Sequence, residues 1–283
     1  MKWRVLAGTA LAASMFVIAV QVAPAGDSGT PGTHVPDEVS QGALVVARTD
    51  PANRVRVSGR DVRVAADGTF VFGVARDATG RVPVRIEAPG GTIAWDSPAV
   101  VERAWDVEII EGVPPETVDP PPAVAERIAR EAAAVAAART RDDARTGFAD
   151  AFAWPVRGRI SGRFGSGRVY NGRPGGGHSG MDIAAPDGTP VLAPAAGVVT
   201  LADDLYITGG TVLLDHGHGV SSNFLHLSRI DVAVGDTVEQ GQPIGLVGAT
   251  GRATGPHLHW GMNWFDVRVD PLLVLEEAPT AGR

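Results

Sequence analysis

The sequence predicts a mainly β protein, with a small β-sandwich-like domain, a helical linker and a larger β-sheet domain in that order. Three observations carry this. Short runs of apolar residues alternate with polar ones, as at Val55, Val57, Val62 and Val64, the period of a half-buried strand. Gly (36) and Pro (21) make the 283-residue chain turn-rich, yet 44% of it is hydrophobic, too much for disorder. Helical spacing is confined to one Ala-, Glu- and Arg-rich stretch near the middle.

The elements follow in order. Lys2 and Arg4 precede an uncharged apolar run over 5–22, and Ala23-Pro24-Ala25 offers a small-x-small cleavage site. Residues 1–25 therefore read as a secretory signal, or as a membrane anchor if uncleaved. Residues 26–38 are polar and Gly/Pro-rich, a flexible leader. From 39 to 113 the pattern is β, with Asp67-Gly68 read as a hairpin turn between 62–64 and 69–72. Short strands with one apolar face suggest a small sandwich or barrel. His34 reads as surface.

Asp119-Pro120-Pro121-Pro122 ends the β pattern within a Pro-rich and helical linker, 114–150. A helix is expected over 123–146, with Val124, Ile128 and Val135 on one face and Gly147 at its end. Its stripe is mostly alanine and buries little alone. From 151 to 275 the composition shifts to Gly, Val and His, with turns at Asp187-Gly188, Gly209-Gly210, Gly217 and Gly235-Asp236. Residues 276–283 form a tail.

Composition excludes several chemistries. The net charge of −7 argues against a nucleic-acid binder. With no Cys, disulfides, thiol nucleophiles and thiolate metal sites are absent, so a transition metal must use His and carboxylates. Lys2 is the only lysine. That rejects a biotinyl- or lipoyl-type carrier, although Val234-Gly235-Asp236-Thr237-Val238 resembles one.

Six of the seven histidines lie in the C-terminal domain. His257 and His259 are two apart, so on a strand they share a face and can converge on one centre. One could bind a metal while the other meets the substrate. His178 and Asp182 are too far apart on a straight strand, about 13 Å. Gly175-Gly176-Gly177 and Gly180 supply the freedom to bend. Two His and one Asp would leave a fourth position for water, as a catalytic zinc requires. His226, between Leu225 and Leu227, reads alone as a core histidine. His216 and His218, in Asp215-His216-Gly217-His218-Gly219, read as turn or surface residues.

Longer segments then line up in order: Trp154-Pro155-Val156 through Gly162-Arg163-Phe164-Gly165; His178 to Asp182; Gly188-Thr189-Pro190-Val191; Phe224-Leu225-His226-Leu227; Val234-Gly235-Asp236 with Gly241-Gln242; and Gly255-Pro256-His257-Leu258-His259. Residues 152–271 thus resemble the lysostaphin-like (LytM-type) zinc metallopeptidases, which cut peptide cross-links of bacterial cell walls. The resemblance implies a LytM-type β-sheet fold, one zinc per chain on His178, Asp182 and His259, and His226 and His257 as a non-ligand catalytic pair. Tyr170 is a loose match to the family's oxyanion-stabilising tyrosine. Phe224 stands where the family often has Tyr, and reads as packing.

The function so implied is an exported zinc endopeptidase acting on peptidoglycan peptides through a metal-activated water, in the periplasm or cell envelope. No nucleic-acid partner and no stable membrane partner after signal cleavage are expected. The competing reading is a catalytically inactive wall-binding or amidase-activating module. Such modules lose metal ligands, whereas all five positions are filled here. The arginines at 157, 159, 163, 168 and 173 read as a basic edge or as a dock for stem-peptide carboxylates.

Overall fold

The computed structural model describes residues 33–275; the expected signal segment, most of the leader and the tail lie outside them. Nine strands come first: β1 (Glu38–Ser40), β2 (Leu44–Arg48), β3 (Arg54–Val57), β4 (Arg60–Val62), β5 (Thr69–Gly73), β6 (Val84–Glu87), β7 (Ile93–Asp96), β8 (Ala99–Val101) and β9 (Val107–Ile110). Helix α1 (Pro122–Ala138) follows. Next come β10 (Arg159–Gly162), β11 (Gly167–Tyr170), β12 (Arg173–Gly177), β13 (Gly180–Ala184), β14 (Pro190–Leu192), β15 (Gly197–Leu205) and β16 (Gly209–Gly217). The chain ends with β17 (Val220–Leu227), β18 (Arg229–Ile230), β19 (Thr237–Val238), β20 (Pro243–Leu246), β21 (His257–Trp264) and β22 (Val267–Val269). The fold is mainly β with a single α-helix among the described residues.

In the N-terminal region β4-β3-β6-β7 form one sheet, while β2 pairs with β5 and β1 with β8. The turn expected across Asp67-Gly68 forms, closed by the Ala65 N–H on the Thr69 carbonyl and the Gly68 N–H on the Ala65 carbonyl, but its two arms do not continue as a ladder. β4 pairs with β3, and β5 pairs with β2. Phe70, Val71 and Phe72 are all inside, so beyond the turn β5 pairs with β2 in the core rather than running on along β4. Gly68 takes the left-handed position of that turn at φ +86°, where a Cβ would lie 1.9 Å from the Thr49 carbonyl oxygen.

The large C-terminal sheet runs β10-β13-β21-β17-β16-β15-β19, with β22 on β21. Leu258, Trp260 and Met262 of β21 face its fully buried side beside Met181, Ile183 and Phe224. His257 and His259 therefore face the other side. The core continues into the N-terminal strands, where Gly73 of β5 lets Trp264 and Val269 approach closely. Strand β9 leaves the N-terminal region and pairs in parallel with β11, completing a three-stranded sheet β12-β11-β9 beside the large one.

The helix stops at Arg139, well short of the expected 146. Beyond it the polar side chains are drawn elsewhere: Arg141 reaches Asp215 at 3.1 Å, Asp142 takes Arg63 at 2.9 Å, and Asp143 pairs with Arg145. Val135 and Ala138 pack on Leu201, Leu205 and Leu213, so α1 lies against β15 and β16.

His216 and His218 depart from the surface reading. Strand β16 continues through Gly217, so His216 lies inside the sheet, fully buried. It donates from Nδ1 to the Ala196 carbonyl at 2.8 Å and meets Ser222 Oγ through Nε2 at 2.9 Å. Its burial pushes it down to about 4. His218 takes the turn at φ +50° and is buried against Phe148.

Candidate metal centre and active site

Register builds the site. Asp182 on β13 lies directly opposite His259 on β21, and His259 lies opposite Leu225 on β17. Paired residues of an antiparallel ladder hold their Cβ atoms about 5 Å apart, which brings a carboxylate and an imidazole together without further folding. His178 arrives in the bend between β12 and β13. His178 Nε2 lies 3.1 Å from Asp182 Oδ1 and 3.0 Å from His259 Nδ1, and His259 Nδ1 lies 2.8 Å from Asp182 Oδ1. All three residues are buried.

Tautomers follow from the neighbours. His178 Nδ1 sits 2.8 Å from the Arg163 carbonyl, which can only accept, so Nδ1 carries the proton and Nε2 is bare. His178 thus brings a bare nitrogen to the triangle that His259 Nδ1 and Asp182 Oδ1 complete. A tetrahedral ion with ligand bonds near 2.0 Å would separate its donors by about 3.3 Å. The observed triangle is only slightly tighter, so the donor set fits a divalent cation.

Two more imidazoles border the triangle. His257 Nδ1 donates to the Gly255 carbonyl and His226 Nδ1 to the Thr250 carbonyl, each at 2.8 Å. Both Nε2 atoms are thereby left as acceptors. His257 Nε2 is 3.9 Å from Asp182 Oδ1, and the His226 and His257 rings are 4.8 Å apart between centroids. Strand alternation alone would turn His226 away from Leu225 and His259. The backbone avoids this by entering the left-handed region at His226, φ +65°, a strained conformation for a non-glycine residue. The ring then lines the cleft instead of the core. All five expected side chains, with Tyr170, border one cleft of about 340 Å³.

A family model described as Peptidase family M23 matches residues 176–271. A solved structure described as a peptidase M23 from Pseudomonas aeruginosa is 33% identical, with a TM-score of 0.65; the match covers 84% of this chain and 96% of that one. This chain belongs to peptidase family M23. Among curated relatives, "DD-carboxypeptidase/endopeptidase Mpg" of Neisseria meningitidis serogroup B is 43% identical over 36% of this chain and 24% of its own. "Peptidoglycan DD-endopeptidase ShyA" of Vibrio cholerae serotype O1 is 47% identical over 29% of this chain and 19% of its own. The match thus spans about a quarter or less of those relatives' length.

Within this M23 site the electrostatics are set by burial. Burial opposes the charge on Asp182, but contacts with His178 and His259 outweigh it and hold the carboxyl well below the usual range. Burial, then the charges of His257 and His259, push His226 down to about 3, so it is neutral near pH 7. His259 is lowered to about 4 by burial, against the pull of Asp182.

The second carboxylate oxygen gives Arg168, read from the sequence as basic edge or dock, a different place. Arg168 Nη2 donates to Asp182 Oδ2 at 2.6 Å and lies 3.0 Å from Glu108 Oε2. Glu108 comes from β9, some 70 residues upstream in a region with no cluster of its own. Gly162 makes room for this pair, since a Cβ there would sit 2.5 Å from Asp182 Oδ2. Of the remaining basic run, Arg157 stacks over Trp154 and Arg173 pairs with Asp119 at 3.0 Å.

Proposed function

We propose that the chain is an exported zinc endopeptidase hydrolysing peptide cross-links or stem peptides of peptidoglycan. One observation carries this reading: three buried donor atoms within 3.1 Å of one another, with two further imidazoles presenting free Nε2 atoms to the same cleft. Membership of the M23 family and relatives named for peptidoglycan endopeptidase activity support it. The apolar run over 5–22, preceded by Lys2 and Arg4, supports export to the periplasm or envelope.

His178 Nε2, Asp182 Oδ1 and His259 Nδ1 would hold one zinc. The ion would polarise a peptide carbonyl and acidify a water beside it, without altering its own oxidation state. The chain's residues do the rest. Arg163 and Arg168 fix the ligand orientations from behind. Neutral His226, locked by Thr250, or His257, locked by Gly255, accepts a proton at Nε2 and later returns it to the leaving amine. The partner imidazole stabilises the developing oxyanion once its Nε2 carries a proton to donate, and the Tyr170 hydroxyl, which borders the same cleft, can donate to it as well.

Two variants separate the roles. His226→Ala should keep about one zinc per chain yet lose cleavage by about 10²- to 10⁴-fold. Asp182→Ala should lose the metal itself. Measured zinc content and release of peptides from purified peptidoglycan decide it. Loss of zinc in the His226 variant, or a metal-loaded and active Asp182 variant, would overturn the assignment.

A further inference from the structure

Among the described residues, Arg139 is an inward-turned cation with no counter-ion. It closes helix α1, and its guanidinium turns onto the large sheet, where Nη2 reaches Asn223 Oδ1 at 3.4 Å. Its Nε is buried and has no hydrogen-bond partner. Its charged neighbour is Arg268 on β22. Neither makes an ion pair among the described residues, whereas Arg127, Arg141, Arg145 and Arg168 each have a carboxylate. Burial and then the Arg268 charge lower Arg139 to about 10, which leaves it protonated near pH 7. Two like charges gathered on a partly dry surface, with no acid between them, destabilise the free protein unless an anion joins them.

The position of the pair is informative. Arg268 lines the same cleft as His226, His257 and His259. Asn223, which holds Arg139, lies opposite Gly261 on β21, as Leu225 lies opposite His259. Asn223 and Gly261 are thus on the site's face of the sheet, two positions along from the metal centre. At strand rise this is about 7 Å, or two residues of an extended peptide; Arg268, paired with Asn263, starts two positions further along and still lines the cleft.

We propose that Arg139 and Arg268 form a carboxylate subsite of this cleft, reading a free carboxyl group about two residues from the bond cut. The proposal rests on the peptidase reading and names its substrate class: anionic peptides. Guanidinium forks match a carboxylate in bidentate geometry, and here two forks are available with few competing partners. Helix α1 and the linker then have a role in recognition, because α1 carries Arg139 to the sheet.

The test uses the full-length, metal-loaded chain carrying His226→Ala, so that peptide persists during titration. Two synthetic wall peptides are compared, identical except that one bears a free carboxylate two residues from the scissile bond and the other a carboxamide. The parent should bind the carboxylate peptide about tenfold more tightly or better. R139Q and R268Q should each bring that ratio towards one, leaving the carboxamide affinity unchanged. Arg268 is exposed, so R268Q keeps the test valid even if R139Q fails to fold. Equal affinities in the parent, or an unaltered ratio in R268Q, would overturn the subsite. Hydrolysis by the unsubstituted chain is read separately. A preserved ratio without hydrolysis would sink the peptidase reading alone, and hydrolysis without a ratio would sink the subsite alone.

Discussion

Replacing Arg168 by Gln probes how the site is held from behind. The Arg168 and Asp182 side chains are only 11% and 10% exposed and meet at 2.6 Å. Removing one member of such a buried pair costs about 3–5 kcal/mol, because the other charge is stranded. Asp182 keeps His178 and His259 on its other oxygen, so the lower end, about 3 kcal/mol, is expected for the metal-free chain. Loss of a residue that orients a ligand typically weakens metal binding about 10- to 100-fold. Glu108→Gln is the control. That carboxylate is 26% exposed and one step further out, so its removal should cost no more than about 1 kcal/mol. Denaturant unfolding gives the stability change, and zinc competition against a chromogenic chelator gives the affinity change. If R168Q bound zinc as the wild type does, Arg168 would not be orienting Asp182.

Three further outcomes are expected. His216 sits at about 4 in the folded chain against 6.5 for an ordinary imidazole, so its contribution is complete above 6.5 and lost as pH falls towards 4. The loss is roughly 3 kcal/mol, visible in unfolding midpoints from neutral to acid pH; an equally steep fall in His216→Gln would contradict this. Trp260→Ala, which empties a fully buried site under the catalytic strand, should cost about 3–5 kcal/mol in the same assay, and a loss within 1 kcal/mol would show that β21 does not rest on it. Stripping the metal should lower the thermal midpoint of the wild type but not that of Asp182→Ala, since only the folded site binds the ion.

Much of the C-terminal domain was legible because its chemistry is tied to local pattern. His257 and His259 share a face by strand period alone, and the glycines beside His178 announce a bend. Asp182 meeting His259 was not legible from spacing, because it depends on register between strands some 75 residues apart. His226 read alone as a core residue since alternation forbids its observed direction; only a left-handed backbone angle reverses it. His216 was misplaced because Gly217 and Gly219 look like turn residues, whereas the strand runs on through the first of them. The end of α1 was set by long-range partners of Arg139, Arg141 and Asp142, not by helix propensity. Glu108 left no sequence signal, since its contact arises only when β9 pairs with β11.

The proposed activity requires one metal ion, gripped by His178, Asp182 and His259 beside His226 and His257, for the cleavage of wall peptides. Mass analysis of fragments released from purified peptidoglycan tests it most directly, using the native chain, the chelated chain and the chain reloaded with zinc. The native and reloaded chains should release fragments with new peptide termini, and the chelated chain none. Cleavage that persists after complete metal removal, or no cleavage by a chain carrying one zinc, would contradict it.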